Sequence, residues 1–271
     1  MVEKSSTAMG NKDLINIETA TRAEVDQKIS AMREGGKILG NLLRDLKAYV
    51  KPGMTGKQID AWVRQEIVKR GAKVAYDMLD EEFPGAICIS INDALVHGAP
   101  TDDVLEEGDK VSFDLDIYYK GYFTDSAFTM LVGGKGSPAV KKMIEVTEAS
   151  MWEGIEQVRP GAHIGDIGQA VEKVLKKGHL GVIMNYIGHG IGKTMHELPE
   201  VPNYGKKGHG YKLVEGDTIC IEPMSALGKP ANYVDKDSNW TVRMKDGSTG
   251  CHCEHTVLVT ATGYEILTMP D

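Results

Sequence analysis

Residues 105–114, Leu-Glu-Glu-Gly-Asp-Lys-Val-Ser-Phe-Asp, return 108 positions later as residues 213–222, Leu-Val-Glu-Gly-Asp-Thr-Ile-Cys-Ile-Glu. The same offset relates Pro52-Gly53, and the helical pattern that follows it, to Pro160-Gly161 and its own helical pattern. A single register that holds over such a distance predicts a duplicated unit of helix, loop and strand. We therefore expect two related halves that pack about a pseudo-twofold axis.

Each copy of this repeat ends its apolar strand pattern on a carboxylate, Asp114 in the first copy and Glu222 in the second. If the halves pack symmetrically, these two acids meet near the shared axis, inside the protein. Buried acids must be paired, protonated or bound to a cation. The repeat therefore predicts an acidic centre between the halves.

Residues 110–130 have the alternating apolar and polar pattern of a β-hairpin. A four-residue turn at residues 118–121 would place Asp114 directly opposite Asp125, with Cβ atoms roughly 5 Å apart. Two carboxylates at that distance repel each other unless one is protonated or a cation lies between them. The open alternative is a turn centred elsewhere, with Asp125 capping a loop.

The segment Cys251-His252-Cys253-Glu254-His255 is dense in residue types that bind metals. In a strand, His252 and Glu254 would share one face, and the cysteines and His255 would share the other. A single C-x-C pair is not a structural zinc pattern. We therefore expect Glu254 to be the metal ligand of this segment and both cysteines to be small apolar fillers.

Three of the eight histidines lie in short motifs that contain glycine or proline: His97 precedes Gly98, His189 lies between Gly188 and Gly190, and His196 lies three residues before Pro199. His189 lies in Gly-His-Gly-Ile-Gly, where glycine permits close approach of the backbone and can hold an imidazole at a crowded point. One histidine of this kind is more often structural than functional. Three of them favour a functional site.

Composition limits the class of protein. The 271 residues are 41% hydrophobic, enough for a sizeable core in one large or two ordinary domains. The net charge of -8 argues against a dedicated nucleic-acid binder. No membrane span, secretory signal or disulfide framework is expected, so the sequence predicts a cytoplasmic protein with reduced thiols. We expect residues 1–22 to be a flexible tail, a helix over 23–50, and one domain over 23–271.

Several short strings together resemble the methionine aminopeptidases of the bacterial type (type I), in that family's order and spacing. The strings are Ile89-Ser90-Ile91-Asn92, His97-Gly98-Ala99-Pro100, Phe113-Asp114 with Asp125-Ser126, Gly188 to Gly192, His196-Glu197, Ile221-Glu222-Pro223-Met224 and Glu254-His255-Thr256. The resemblance implies an α/β pita-bread fold, with two pseudo-twofold related halves around a central curved antiparallel sheet. It also implies removal of the initiator methionine from new proteins.

The resemblance also implies site residues and cofactors. Asp125 and Glu254 would bridge two divalent cations, Asp114 would complete one metal site, and His189 with Glu222 would complete the other. Such a shell of carboxylates and one imidazole suits Co, Mn, Fe or Zn, and the cations would activate a water to attack the methionyl carbonyl. The residues implied for catalysis and substrate binding are His97, His196 and Glu222, with Phe83, Cys88 and Trp240 around the methionine side chain.

The expected partners are the N-termini of nascent polypeptides, with a small residue preferred after the methionine. A transient ribosome contact would have to use a local patch such as Lys206, Lys207 and Lys212, although a solvated loop is the favoured interpretation of these lysines. No nucleic acid or membrane partner is expected, and a monomer is the default expectation. Two features depart from the family pattern. Residues 77–82 are unusually acidic and could favour basic substrates, and Asp116 stands where an uncharged residue is common.

Three alternatives stay open on the sequence alone. A prolidase or Xaa-Pro aminopeptidase would carry the same five ligands, but usually has a large additional N-terminal domain. A type II methionine aminopeptidase would need a helical insertion, for which residues 178–216 leave no room. A non-catalytic binding protein on the same fold would be expected to lose ligands, whereas all five are present here.

Overall fold

The computed structural model describes residues 21–79 and 82–271, and within these ranges the chain forms four α-helices and fifteen β-strands. The helices are α1 (Arg22–Tyr49), α2 (Gly56–Lys69), α3 (Pro138–Ile155) and α4 (Ile164–Lys177). The strands up to α3 are β1 (Lys73–Val74), β2 (Cys88–Ile91), β3 (Ala94–Val96), β4 (Lys110–Tyr119) and β5 (Tyr122–Leu131). The later strands are β6 (Gly181–Val182), β7 (Gly188–Gly190), β8 (Glu197–Val201), β9 (Thr218–Ile221), β10 (Met224–Ala226), β11 (Asn232–Val234), β12 (Val242–Met244), β13 (Gly250–His252), β14 (Glu254–Val259) and β15 (Tyr264–Ile266).

The long N-terminal helix predicted over residues 23–50 is confirmed as α1. The Thr21 side chain accepts a hydrogen bond from the Glu24 backbone N–H, and the Glu24 carboxylate accepts one from the Thr21 backbone N–H. This capping box satisfies two N–H groups at the helix start. The predicted tail over residues 1–22 lies outside the described residues except for Thr21 and Arg22, which cap and begin α1. That 23–271 is a single domain stays a prediction.

The duplication predicted from the repeat is confirmed element by element. Helices α2 and α4 begin and end 108 positions apart, and β4 and β9 begin 108 positions apart. Loop hydrogen bonds repeat at the same offset: the Gly53 N–H donates to the Leu105 carbonyl at 2.8 Å, and the Gly161 N–H donates to the Leu213 carbonyl at 2.8 Å. The two copies differ at the strand end, because β4 continues past Asp114 whereas β9 stops just before Glu222.

One large sheet joins the two copies. Among the described residues it contains nine strands in the order β1-β4-β5-β14-β9-β7-β8, with β2 added on β4 and β15 on β14, and its pairings are antiparallel. Strand β14 lies between β5 of the first half and β9 of the second half. Two smaller sheets have the orders β13-β10-β6 and β11-β12-β3.

The large sheet is apolar on the side that packs on the helices. In the first half, Phe113, Leu115 and Ile117 of β4 pack with buried residues of α1 and α2, among them Leu42 and Ile59. Residues of β9 and β14 pack in the same way with α4 in the second half. Because side chains alternate along a strand, residues 114 and 116 of β4 point to the opposite side. The acids of β4 therefore lie on the side of the sheet that faces away from the helices.

The predicted register of the β4–β5 hairpin is wrong by two residues. Tyr119 pairs with Tyr122, so the turn contains only Lys120 and Gly121. Both have positive φ, 48° and 96°, as the favoured two-residue hairpin turns require. Asp125 therefore faces Asp116, and Asp114 faces Ala127.

Candidate metal centre

Three carboxylates share one face of the β4–β5 hairpin. Asp116 and Asp125 are direct cross-strand partners, and Asp114 lies diagonally across from Asp125. Oxygens of all three lie within 4.8 Å of one another. The prediction that Asp114 pairs directly with Asp125 was wrong in register, although both side chains lie on the predicted face of the hairpin. Asp116 joins the cluster, although it was not among the predicted metal ligands.

Glu254 enters the same cluster from the second half. Its Cα partner on β5 is Ala127, which is also the partner of Asp114 on β4. The row across three strands is therefore Asp114, Ala127 and Glu254. A methyl group between two acids leaves open space between their carboxylates. The position is fixed by the Ser126 hydroxyl, which donates to the Glu254 backbone carbonyl at 2.8 Å.

His189 reaches the cluster from the narrow strand β7. A Cβ at Gly188 would collide with the backbone of Cys220 on β9, and one at Gly190 would collide with the backbone of Leu198 on β8. The glycines on either side of His189 therefore let three strands approach closely, as the sequence predicted. The Nδ1 of His189 lies 2.9 Å from the Gly190 carbonyl and donates to it, so its Nε2 carries the lone pair.

The Nε2 of His189 points toward two carboxylates without bonding to either. It lies 3.8 Å from Asp125 Oδ2 and 3.8 Å from Glu222 Oε1. These separations are too long for hydrogen bonds. Two donor atoms that each lie about 2.1 Å from one ion can be up to about 4.2 Å apart. The spacing therefore fits ligands that share a cation.

The buried acids are incompatible with simultaneous ionisation. Burial raises the pKa values of Asp114, Asp116, Asp125, Glu222 and Glu254 well above their usual range, and the neighbouring carboxylates raise most of them further. Four carboxylate oxygens have no hydrogen-bond partner within the described parts of the chain: Asp114 Oδ1, Asp116 Oδ1, Asp125 Oδ1 and Glu254 Oε1. Divalent cations would neutralise this charge and satisfy these oxygens, so the residues fit a metal centre.

A cavity of about 110 Å³ opens beside the acids. Its lining includes His97 and His196 together with Asp114 and Glu222. The His196 ring packs against His189 with centroids 4.4 Å apart, and the His97 ring packs edge-on against Tyr186 at 5.8 Å. Burial lowers the pKa of His97 to about 4 and also lowers that of His196. Both imidazoles are therefore neutral near pH 7, each with one N–H to donate.

The segment that carries His97 is held by a buried ammonium group. Lys110 Nζ donates to the backbone carbonyls of Ser90 at 3.0 Å and Ala94 at 2.9 Å. The Ser90 hydroxyl in turn accepts from the Gly98 N–H at 3.1 Å. These bonds fix both sides of the turn that holds His97, whose φ of 55° is unusual for a residue other than glycine.

Tyr76 connects the three residues predicted to surround the methionine side chain, which are Phe83, Cys88 and Trp240. The Phe83 ring packs edge-on against Trp240 at 5.4 Å, and it lies tilted by 32° against Tyr76 at 4.4 Å. The Tyr76 hydroxyl contacts Cys88 Sγ at 3.3 Å, and Cys88 is the strand partner of Asp114. Of the acidic run at residues 80–82, Asp80 and Glu81 lie outside the described residues and Glu82 is exposed.

Sequence reasoning missed several residues of this region. Tyr186, Met224 and His252 line the cavity, and a signal existed only for His252, which the strand pattern placed on the same face as Glu254. Cys220 lies within 4.8 Å of Asp125, His189 and Glu254, but burial raises its pKa well above the usual range. Cys251 and Cys253 are buried free thiols, as predicted. Within the described ranges, no helix is long and apolar enough to cross a membrane.

Comparison with known proteins places this geometry in context. The sequence profile of metallopeptidase family M24 matches residues 30–261. Methionine aminopeptidase 1 of Bacillus subtilis (strain 168) is 38% identical over 243 residues, which cover 89% of this chain and 96% of that protein.

Solved structures agree with the sequence matches. The crystal structure of methionine aminopeptidase from Rickettsia prowazekii aligns with a TM-score of 0.85 and 36% identity, over 90% of this chain and 97% of that one. The predicted pita-bread fold is thereby confirmed. Prolidase from Pyrococcus furiosus aligns with a TM-score of 0.72 and 23% identity, over 90% of this chain and 64% of the prolidase chain. At this identity the likeness shows the fold alone.

Proposed function

This chain belongs to metallopeptidase family M24 and, within it, to the methionine aminopeptidases, and from this membership we propose that it hydrolyses the peptide bond after an N-terminal methionine. The observation that carries the proposal is the buried group of four carboxylates and one imidazole, Asp114, Asp125, His189, Glu222 and Glu254, beside a small cavity. Its substrates are the N-termini of newly made polypeptides.

The metal ligands are proposed as the sequence predicted them. Asp125 and Glu254 would contact two divalent cations, Asp114 would complete one site, and His189 with Glu222 would complete the other. Two cations would supply four positive charges to a cluster of five carboxylates, the four proposed ligands and Asp116. Bound divalent cations polarise a peptide carbonyl and lower the pKa of an attacking water. The oxygen-rich shell accepts Co, Mn, Fe or Zn.

His97 and His196 are proposed to act on the reacting peptide bond. Both line the cavity beside the acids, His97 half-buried and His196 exposed at its edge, and the lowered pKa of each keeps its imidazole neutral near pH 7. A neutral imidazole N–H can donate to the peptide oxygen as negative charge develops there, or assist the departing amine. Glu222 lines the same cavity and can accept a proton from the attacking water.

Restriction to the chain terminus follows from the charge of the site. A free α-amine is a cation or a lone-pair donor, and either form interacts favourably with an acidic, metal-binding cavity. An internal peptide nitrogen offers neither. We place the amine on the Asp114 side, next to the residues proposed to surround the methionine side chain.

The methionine side chain is proposed to pack against Phe83, Cys88 and Trp240, together with Tyr76. A thioether is flexible and interacts favourably with aromatic edges. The preference for a small second residue is carried over from the family resemblance, and the cavity beside His97 and His196 measures about 110 Å³. The ribosome contact through Lys206, Lys207 and Lys212 and the monomeric state stay predictions.

A peptide assay tests the proposed function. Metal-free protein reloaded with Mn or Co should release methionine from Met-Ala-Ser, and should leave acetyl-Met-Ala-Ser intact because that peptide lacks the free amine. Faster cleavage of Ala-Pro peptides than of Met-Ala peptides would favour the proline-specific alternative. Absence of turnover with Mn, Fe, Co and Zn in turn, although metal is bound, would favour a non-catalytic binding protein.

A further inference from the structure

His252 is held beside the acidic cluster by two neighbouring strands. It ends β13, where it is the Cα partner of Met224 on β10. Its backbone carbonyl accepts a hydrogen bond of 2.5 Å from the Thr129 hydroxyl of β5. Cys253 alone separates it from Glu254, which begins β14. The ring is therefore positioned by backbone that belongs to both the large sheet and a smaller one.

The His252 ring is buried without a hydrogen-bond partner. Its exposed fraction is 1%, and neither ring nitrogen bonds to any other described residue. Its Nε2 lies 3.2 Å from Glu222 Oε2 and 3.7 Å from Glu254 Oε2. The first distance would suit a hydrogen bond, but the ring N–H direction does not align with that oxygen. A buried imidazole with two unsatisfied nitrogens is unfavourable unless another species binds it.

The ring is aimed at a group of metal-binding atoms. Glu222, His252 and Glu254 each offer one such atom, and these atoms lie within 4.8 Å of one another. An imidazole lone pair and two carboxylate oxygens at these separations repel one another unless a cation lies among them. The separations of 3.2 Å and 3.7 Å are within the limit of about 4.2 Å for ligands that share one ion.

We propose that His252 is a sixth metal ligand, which binds through Nε2 a cation that it shares with Glu222 and Glu254. This inference rests on the proposed metallopeptidase function. It gives the centre a second imidazole beside His189. Because imidazole favours Zn and Fe, whereas carboxylate favours Mn, His252 shifts the centre's selectivity away from Mn and toward Zn.

Metal-binding measurements on the full chain test the proposal without reference to turnover. Metal-free wild-type protein and the His252→Gln variant would be titrated with Zn²⁺ and Mn²⁺ by calorimetry, with chelator competition for tight sites. Glutamine keeps a hydrogen-bond donor near Glu222 but removes the imidazole. The matched control is Cys251→Ala, a change at the adjacent buried residue.

We expect His252→Gln to weaken Zn²⁺ binding by more than the roughly 10- to 100-fold typical for loss of an outer hydrogen-bond partner. Mn²⁺ binding should weaken less, so the preference for Zn²⁺ over Mn²⁺ narrows. The visible spectrum of the Co²⁺-loaded variant should differ from that of the wild type, and Cys251→Ala should match the wild type. Unchanged affinities and an unchanged Co²⁺ spectrum in His252→Gln would overturn the proposal.

A second measurement covers the case in which His252→Gln does not fold. X-ray absorption of the Zn-loaded wild type counts imidazoles directly and should give twice the number expected for a centre with His189 alone. A count that fits one imidazole would also overturn the proposal. Failure of the proposed function is distinguishable, because the peptide assay measures turnover, whereas the metal affinities and the imidazole count measure metal ligation alone.

Discussion

Asp116 and Asp125 face each other across the β4–β5 hairpin, and both side chains are buried. Burial and the Asp114 charge hold the pKa of Asp116 well above its usual range, while burial and the Asp116 charge do the same for Asp125. Without a cation, the pair shares a proton or stays in unfavourable contact. Metal binding would therefore relieve the repulsion between the carboxylates of Asp116 and Asp125.

The first prediction concerns this repulsion. Asp116→Asn should raise the thermal midpoint of the metal-free protein, because it removes one of two facing carboxylates and leaves an amide that can donate to Asp125. Each kcal/mol gained would raise the midpoint by roughly 2 to 4 °C in a protein near this size. Calorimetry in excess chelator measures the shift, with the exposed Asp237→Asn as control. A lower midpoint for Asp116→Asn would show that the facing pair stabilises the fold.

Asp125→Asn should remove both bound metal and activity, because Asp125 is proposed to contact both cations. Chelation of the wild type should abolish turnover in the same way, and Mn or Co added back should restore it. Metal analysis of purified proteins, alongside methionine release from Met-Ala-Ser, checks the prediction. Full turnover by protein verified to be metal-free would contradict the two-metal proposal.

His97→Ala and His196→Ala should retain wild-type metal content while kcat falls. Loss of one hydrogen-bond donor to developing charge typically costs roughly 10²- to 10³-fold in kcat. His179→Gln, at an exposed histidine away from the site, serves as the control. If either alanine variant lost metal instead, that histidine would belong among the ligands.

The size of the second substrate residue should govern the rate. Met-Ala peptides should be cleaved faster than Met-Leu peptides, because a pocket discriminates by about 1 to 3 kcal/mol per added methylene. The ratio of kcat/KM for the two peptides measures this effect directly. Equal kcat/KM values for the Met-Ala and Met-Leu peptides would contradict the assignment of a narrow site beside His97 and His196.

Lys110 should give the unfolding free energy a distinctive pH dependence. Burial lowers its pKa from 10.5 to about 8. Between these pH values the unfolded chain binds the additional proton, so the contribution of this group to stability rises with pH. The full effect is on the order of 3 kcal/mol. Urea unfolding would be measured from about pH 7 to about pH 10, where the unfolding free energy of the wild type should rise relative to that of Lys110→Met. If the unfolding free energies of the two proteins changed in parallel with pH, the assignment would be refuted.

Sequence patterns predicted helices α1, α2 and α4, whereas the full set of five proposed metal ligands came from the resemblance to the methionine aminopeptidases. The repeat at offset 108 fixes the bounds of α2 and α4, and amphipathic periodicity reports directly on a buried helix face. Register failed at Lys120-Gly121, because either a two- or a four-residue turn fits the alternation of residues 110–130. Strand alternation placed His252 on the same face as Glu254, but its approach to Glu222 could not be foreseen, because that depends on contacts with Thr129 and Met224, which are distant in sequence.

The place of β14 between β5 and β9 has a consequence for synthesis on the ribosome. Glu254 is translated after the other residues of the acidic cluster, and the strand it begins must insert between two strands that are already made. A nascent chain therefore cannot complete the acidic cluster until β14 has emerged and paired. Because Glu254 is proposed as a metal ligand, we expect unfinished copies that lack β14 to be inactive as peptidases, so that activity would report that translation has passed this strand.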